Sequence, residues 1–160
     1  MKSPNTLILK SQSRNAEFAM DGEGSLRFVE RRMPDSQKAI DQIVINIEAK
    51  NAPALKGKIE YDSPPVITLA CVNTRCQFDD LLDRTLEIPK AYDESVKDHV
   101  TDFYYFEHLD LDDVRIHFLA RDGERYRIKV TGTAPDLGSR GGRMNVEIDT
   151  VIRRQENPVE

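Results

Sequence analysis

The sequence predicts a mostly β protein, either an antiparallel sandwich or an α+β sheet of about seven to eight strands, with one or two short helices inserted mid-chain. Near both ends of the chain, apolar residues alternate with polar ones, as they do in a half-buried strand. Between these regions, from residue 78 to residue 103, the apolar spacing changes to that of an amphipathic helix. Turns rich in Gly or Pro separate the segments.

The chain has the size and composition of one globular domain. It contains 160 residues, of which 39% are hydrophobic and 32% are charged. We expect a single domain over residues 1–160, with loose termini at about 1–6 and 153–160. No apolar run approaches the ~20 residues of a membrane-spanning helix, and the N-terminus lacks a signal-peptide pattern. The sequence therefore predicts a cytoplasmic protein that does not contact membranes.

Four segments in the first half of the chain have the pattern of strands. They are residues 26–28, 43–47, 55–61 and 66–72. The first three alternate apolar and polar side chains, which is typical of strands with one buried face. The fourth is nearly all apolar and β-branched, which indicates a central strand covered on both faces.

Two short helices are predicted in the middle of the chain. Their apolar positions are Phe78, Leu81, Leu82 and Leu86 in the first, and Tyr92, Val96, Val100 and Phe103 in the second. These spacings place the apolar side chains on one helical face. Pro89 separates the two helices, because proline cannot continue the first.

Residues 103–106 are four consecutive aromatics that begin a return to strand structure. In a strand, two of these side chains must point to each face. If Phe103 and Tyr105 enter the core, then Tyr104 and Phe106 point outward. They are exposed there unless the predicted helices cover them.

Residues 114–120 and 124–131 predict a β-hairpin. A two-residue Asp122–Gly123 turn would place Phe118 opposite Arg127 and mix apolar with charged residues on one face. A three-residue loop, Arg121 to Gly123, instead places Phe118 opposite Tyr126 and requires a positive φ at Gly123. We therefore predict the three-residue loop. The opposite face then carries a basic stripe, formed by Arg115, His117, Arg125, Arg127 and Lys129.

The last part of the chain contains a loop and one more predicted strand. Glycines and prolines between residues 134 and 143 predict a flexible loop. Alternating apolar residues from 144 to 152 then predict a final strand.

The net charge of −5 is distributed unevenly along the chain. Residues 79–113 contain twelve acidic and three basic residues, so this acidic segment carries −9 and the rest of the chain carries +4. Nucleic-acid binding needs clustered Lys and Arg, so we expect no nucleic-acid partner. A concentrated acidic segment is suited to a basic protein partner, although it is also typical of a solvated face that aids solubility.

The sequence contains no clear metal or cofactor site. The stretch Asp110–Leu111–Asp112–Asp113 resembles the start of a calcium loop, but Arg115 and Arg121 occupy positions where an EF-hand needs Gly and Glu. The sequence leaves open whether these carboxylates bind a cation in another geometry. His99, His108 and His117 lack the spacing of zinc ligands. We expect no metal and no cofactor.

The cysteines and the missing motifs favour a non-enzymatic protein. Cys71 and Cys76 have a C-x4-C spacing rather than the C-x2-C of zinc and redox sites, which predicts two reduced thiols. The sequence has no nucleophile elbow, P-loop or dinucleotide-binding glycine motif. An enzyme therefore ranks below two binding functions.

The favoured function is an interaction module, for example an inhibitor or immunity-type protein, that docks a basic protein through an acidic surface. The predicted docking residues are Asp102, Tyr104, Glu107, Asp110, Asp112 and Asp113. Replacing Asp110, Asp112 and Asp113 with Lys is expected to slow association and leave the melting temperature nearly unchanged. The alternative function is a small-ligand-binding β-domain with a pocket between the sheet and the helices.

Overall fold

The computed structural model describes residues 5–12, 15–50, 64–138 and 140–156. This part of the chain contains thirteen β-strands and one 3₁₀ turn at Phe78–Asp80. The strands are β1 (Thr6–Lys10), β2 (Asn15–Ala19), β3 (Gly24–Arg32), β4 (Ala39–Glu48), β5 (Val66–Val72), β6 (Thr85–Ile88), β7 (Tyr92–Asp93), β8 (Asp98–His99), β9 (Thr101–Tyr105), β10 (Glu107–Leu109), β11 (Asp112–Asp122), β12 (Arg125–Pro135) and β13 (Arg143–Arg154).

Eleven of these strands form one mixed sheet in the order β10-β9-β5-β4-β3-β13-β12-β11-β6, with β1 and β2 branching from β13. The branch arises because two strands share one edge of β13. Residues 145–149 of β13 pair antiparallel with β1, and residues 152–154 pair parallel with β3. Strands β7 and β8 form a separate two-stranded hairpin. The β3–β13 pairing therefore joins the two halves of the sheet.

One hydrophobic core lies between the two halves. Leu7 and Leu9 of β1 and Ile43 and Ile45 of β4 are completely buried in it. Phe18 of β2 meets Tyr105 of β9 edge to face, with ring centroids 6.0 Å apart. The inner faces of the two halves thus pack on each other, which agrees with the predicted mostly β, sandwich-like class.

The predicted helix over residues 78–86 is wrong. Residues 78–80 form the 3₁₀ turn, and the chain then enters β6 at Thr85. Phe78 and Leu81 are buried, but Leu82 remains 45% exposed, so the four apolar residues do not share one packed face. Asp83 has a positive φ of 64°, which a right-handed helix cannot contain.

The predicted second helix, over residues 92–103, is also wrong, because this segment forms β7, β8 and the start of β9. The Asp93 carboxylate accepts hydrogen bonds from the backbone N and Oγ of Ser95, at 2.8 and 2.5 Å. Such local bonds favour a turn over a helix. Lys97 then adopts a positive φ of 51°. Short strands formed in place of both helices, so the predicted count of seven to eight strands is too low.

Three of the four strand predictions in the first half are confirmed, as β3, β4 and β5. The segment 55–61 lies outside the described residues. Strand β5 is central in the sheet, between β4 and β9. Its outward face is not fully covered, however, since Val66 is 36% exposed and Thr68 is half-buried. The final predicted strand, over residues 144–152, lies within β13.

The predicted register of the β11–β12 hairpin is wrong. Asp122 pairs with Arg125, so Gly123 and Glu124 form a two-residue turn, and Phe118 lies opposite Ile128. The register shifts between Phe118 and Ala120, which is a β-bulge at Leu119. The bulge keeps Phe118 in the core, and the predicted three-residue loop is not needed.

Gly123 has the predicted positive φ, at 59°, and its missing side chain would face open space. Gly123→Ala is therefore expected to lower the free energy of unfolding by about 1 kcal/mol, from backbone strain alone. Gly123→Asn should cost less, because asparagine tolerates this region better than alanine. Urea denaturation of both variants measures this difference. Equal stability of the alanine variant and the wild type would contradict the expectation.

Candidate functional site

Strands β9 and β10 form one end of the sheet and carry the aromatic run. Tyr105 pairs with Glu107, so Phe106 alone makes the turn between them, with a positive φ of 66°. Phe103 and Tyr105 are buried, whereas Tyr104 is 38% and Phe106 43% exposed. The predicted alternation of the aromatics is confirmed, and no helix covers the outward pair in the described part of the chain.

A row of polar residues lies beside Tyr104 on the outward face. The strand register places Asn46, Thr68 and Asp102 next to each other across β4, β5 and β9. The Thr68 hydroxyl donates a hydrogen bond to Oδ1 of Asn46 at 2.9 Å. The neighbouring row places Tyr104 between Val66 and His108. Asp102 and Tyr104, which the sequence predicts as docking residues, therefore lie side by side on one outward face.

Asp102, His108 and Tyr104 form a contact cluster. Nδ1 of His108 lies 2.8 and 2.9 Å from the two carboxylate oxygens of Asp102. The His108 ring meets the Tyr104 ring edge to face, with centroids 4.9 Å apart. The sequence alone assigns no partner to His108, because the contact depends on the one-residue turn at Phe106.

A second cluster of the same composition contains Asp110, His99 and Tyr92. Nε2 of His99 lies 3.5 Å from Oδ1 of Asp110. The Tyr92 and His99 rings meet edge to face at 5.5 Å, and Tyr92 is 43% exposed. Each cluster thus combines an exposed aromatic ring, an imidazole and a carboxylate. His99, His108 and Tyr92 are not among the docking residues predicted from the sequence.

Asp112 differs from the other predicted docking residues because its carboxylate has two internal partners. Oδ1 accepts a hydrogen bond from the backbone N–H of Ala91 at 2.8 Å, and Oδ2 accepts one from Arg143 at 3.2 Å. Ala91 is only 1% exposed, so its N–H depends on this carboxylate. Asp112 therefore connects the segment before β7 to the start of β11.

Replacing Asp112 is accordingly expected to affect stability, contrary to the expectation from sequence. Asp112→Ala leaves the buried Ala91 N–H without a partner and should lower the free energy of unfolding by about 1–2 kcal/mol. Asp113→Asn is the matched control, because asparagine tolerates the positive φ of 53° found there. Thermal or urea unfolding that ranks the two variants equally would contradict this role of Asp112.

Glu107 and Asp113 are exposed, and neither makes an ion pair with any residue the structure describes. Asp113 is held by its backbone, whose N–H donates to the carbonyl of Pro89 at 2.9 Å. Both carboxylates therefore remain available to an external cation.

The described residues contain no group of three or more His, Cys, Asp or Glu side chains arranged to hold a metal ion. Cys71 and Cys76 are both free thiols. Burial in the core raises the pKa of Cys71 to about 12, so its reactive thiolate is scarce at neutral pH. Cys76 is half-buried, with Arg84 donating a hydrogen bond to its sulfur at 3.4 Å.

Acidic residues on or just before neighbouring strands offset the predicted basic stripe. Arg127 makes two hydrogen bonds with Asp149, at 3.1 and 2.9 Å, and this carboxylate raises the pKa of Arg127. Arg115 lies 3.4 Å from Glu87, and Arg125 lies 2.6 Å from Glu23. This face therefore has mixed charge.

In comparisons with known proteins, no family, curated protein or solved structure matches this chain. Within the described ranges, no helix has the length and apolar character needed to cross a membrane. The geometry and charge of the protein's surfaces are therefore the basis for assigning a function to it.

Proposed function

We propose that the protein is a non-enzymatic interaction module that docks a positively charged protein. The docking surface is centred on Asp102 and Tyr104, on the outward face of β9, and includes the exposed residues Asp110 and Asp113. Glu107 pairs with Tyr105, so it lies on the other face of the edge strand β10 and contributes from that edge. Asp112 is not proposed as a contact residue, because its carboxylate is bonded internally to Ala91 and Arg143. An inhibitor or immunity-type protein that covers a basic target is one form of such a module.

The observation that supports this proposal most directly is the exposure of Tyr104 beside the Asp102 carboxylate. Protein interfaces commonly contain a central aromatic anchor within a charged or polar rim. Tyr104 is suited to the role of anchor, because it is 38% exposed and meets the His108 ring edge to face. Phe106, exposed at the adjoining turn, extends the apolar area.

The charge of the surface favours a basic partner. Asp102 and Asp110 contact imidazoles rather than Lys or Arg, so their negative charge is not cancelled while those histidines are neutral. The acidic segment containing them carries −9. A field of this sign accelerates encounter with a basic protein and repels acidic ones.

The test compares proteins captured from source-cell extract by three forms of the protein. The docking variant carries Tyr104→Ala, Glu107→Lys and Asp110→Lys. The control variant carries Glu17→Lys, Glu124→Lys and Glu147→Lys, which change exposed carboxylates on other strands or turns. A basic protein should bind the wild type and the control variant and should not bind the docking variant.

The captured protein, once purified, provides the kinetic test. Association with the wild type should slow several-fold as salt rises from about 0.05 to 0.5 M, because the Debye length shrinks from roughly 14 to 4 Å. The docking variant should lose most of this salt dependence while keeping the wild-type melting temperature. Equal capture by all three forms, or association independent of salt, would contradict the proposal.

A further inference from the structure

A cleft of about 600 Å³ lies between β3, β4 and the loop that follows β5. Its lining residues are distant in sequence from the docking residues. This volume is within the range of small-molecule sites. Its walls include Phe28 and Val29 of β3, Asp41 of β4, and Arg75 and Cys76 of the loop. The cleft thus combines an apolar wall with charges of both signs.

The two charges of opposite sign have no internal partner. Neither the Asp41 carboxylate nor the Arg75 guanidinium makes a salt bridge or side-chain hydrogen bond with another residue in the described ranges. Both side chains are exposed. They line the same cleft and yet do not pair with each other within 4.0 Å. The cleft therefore presents a separated anion and cation.

A second carboxylate lies on the anionic wall. Glu30 lines the cleft and is directly opposite Asp41 in the β3–β4 register. Like charges that face each other across antiparallel strands are destabilising unless a cation lies near them. Arg32 is 3.8 Å from Glu30, but no cationic side chain in the described part pairs with Asp41. The wall therefore favours a bound ammonium group.

We propose that this cleft binds a small zwitterion, a free amino acid or a short peptide. The ligand's ammonium group lies at Asp41 and Glu30, its carboxylate lies at Arg75, and its side chain contacts Phe28, which lies on the same face of the β3–β4 pair as the two carboxylates. Arg suits the carboxylate because its planar guanidinium offers paired donors. No residue of the docking surface takes part, so this site is independent of the proposed protein interaction.

L-Phenylalanine is the probe, and two analogues with the same ring separate its charges. Phenethylamine keeps only the ammonium group, and 3-phenylpropionate keeps only the carboxylate. At millimolar concentration, L-phenylalanine should shift the backbone NMR resonances of Asp41 and Arg75. It should also slow iodoacetamide alkylation of Cys76, which lines the cleft. Each analogue should bind about ten-fold more weakly, since it lacks one charged contact.

Substitutions test the two charges separately. Asp41→Asn and Arg75→Asn should each weaken L-phenylalanine binding about ten-fold, and Arg75→Asn also suits the positive φ of 50° at that position. Glu147→Gln, on the outward face of β13, should leave binding unchanged. The proposal is overturned if glycine, L-leucine and L-phenylalanine all fail to shift these resonances. It is equally overturned if phenethylamine binds as well as L-phenylalanine, or if neither cleft variant weakens binding.

Discussion

Replacing Tyr126 with Ala is expected to lower the free energy of unfolding by about 3–5 kcal/mol, the cost of removing a large aromatic side chain from a packed core. Tyr126 is completely buried and is among the largest fully buried residues. Its ring meets Phe78 and Phe118 edge to face, at centroid distances of 5.0 and 5.2 Å. The substitution therefore opens a cavity beside the Phe78 and Phe118 rings and removes one edge-to-face contact from each of them.

Tyr126→Phe separates the hydroxyl from the ring. The Tyr126 hydroxyl donates a hydrogen bond of 2.5 Å to the carbonyl of Phe78, the first residue of the 3₁₀ turn. Removing this donor should cost only about 1–2 kcal/mol, because the packing of the ring is kept. Urea denaturation of both variants gives the comparison. Loss of less than about 1 kcal/mol in the alanine variant would show that the aromatic cluster does not stabilise the core as inferred.

The alternating strands could be predicted from sequence because their periodicity has one interpretation. Ile43, Ile45 and Ile47 repeat at every second position, and all three are buried on the inner face of β4. The spacing of the middle segment was ambiguous. Val96 and Val100 are four residues apart and both are buried, but Val96 lies in the turn between β7 and β8. Val100 lies between β8 and β9, so a turn and a junction between strands can bury the same positions as a helix.

The β11–β12 hairpin shows a different limit of prediction from sequence. A two-residue turn without a bulge would indeed mix apolar and charged residues on one face, because its register would move charged residues onto the core face. The chain resolves it with the bulge at Leu119 rather than with a longer loop. After the bulge, Arg121 lies opposite Tyr126, and its guanidinium lies 4.7 Å from the Phe78 ring centroid and 5.8 Å from that of Tyr126. A bulge has no clear sequence signature here, so only the structure could locate it.

The exposure of Tyr104 could be expected from the run of consecutive aromatics, but the contacts around it could not. Local charge favoured Glu107 and Asp110 as docking residues, and their docking role stays a prediction. The pairing of Asp102 with His108 depends on the turn at Phe106, whose positive φ is unusual for a bulky residue. Sequence reasoning disfavours such a turn. The separation of Asp112 from the other carboxylates depends on Ala91 and Arg143, which are distant in the sequence.

Gly24→Ala tests the junction between the two halves of the sheet. Gly24 pairs with Ile152 in the parallel contact of β3 with β13. A Cβ at this position would lie 2.7 Å from the carbonyl oxygen of Asn46 and 2.9 Å from Cγ2 of Ile152. Relieving these contacts requires movement of backbone and of a buried side chain. We expect the free energy of unfolding to fall by about 2–3 kcal/mol.

The sign of this change distinguishes the packing argument from the usual effect of removing a glycine. Where the folded backbone tolerates alanine, a Gly→Ala substitution stabilises a protein by about 0.4–1 kcal/mol, because it restricts the unfolded chain. Gly24 does not have a positive φ, so alanine would cause no left-handed backbone strain there. Only the close contacts of the added Cβ oppose the stabilisation that comes from restricting the unfolded chain. Ser25→Ala, at the next position of β3, is the control and should change stability by less than about 1 kcal/mol. Equal or greater stability of Gly24→Ala in urea denaturation would mean that the two halves can separate enough at this junction to admit a methyl group.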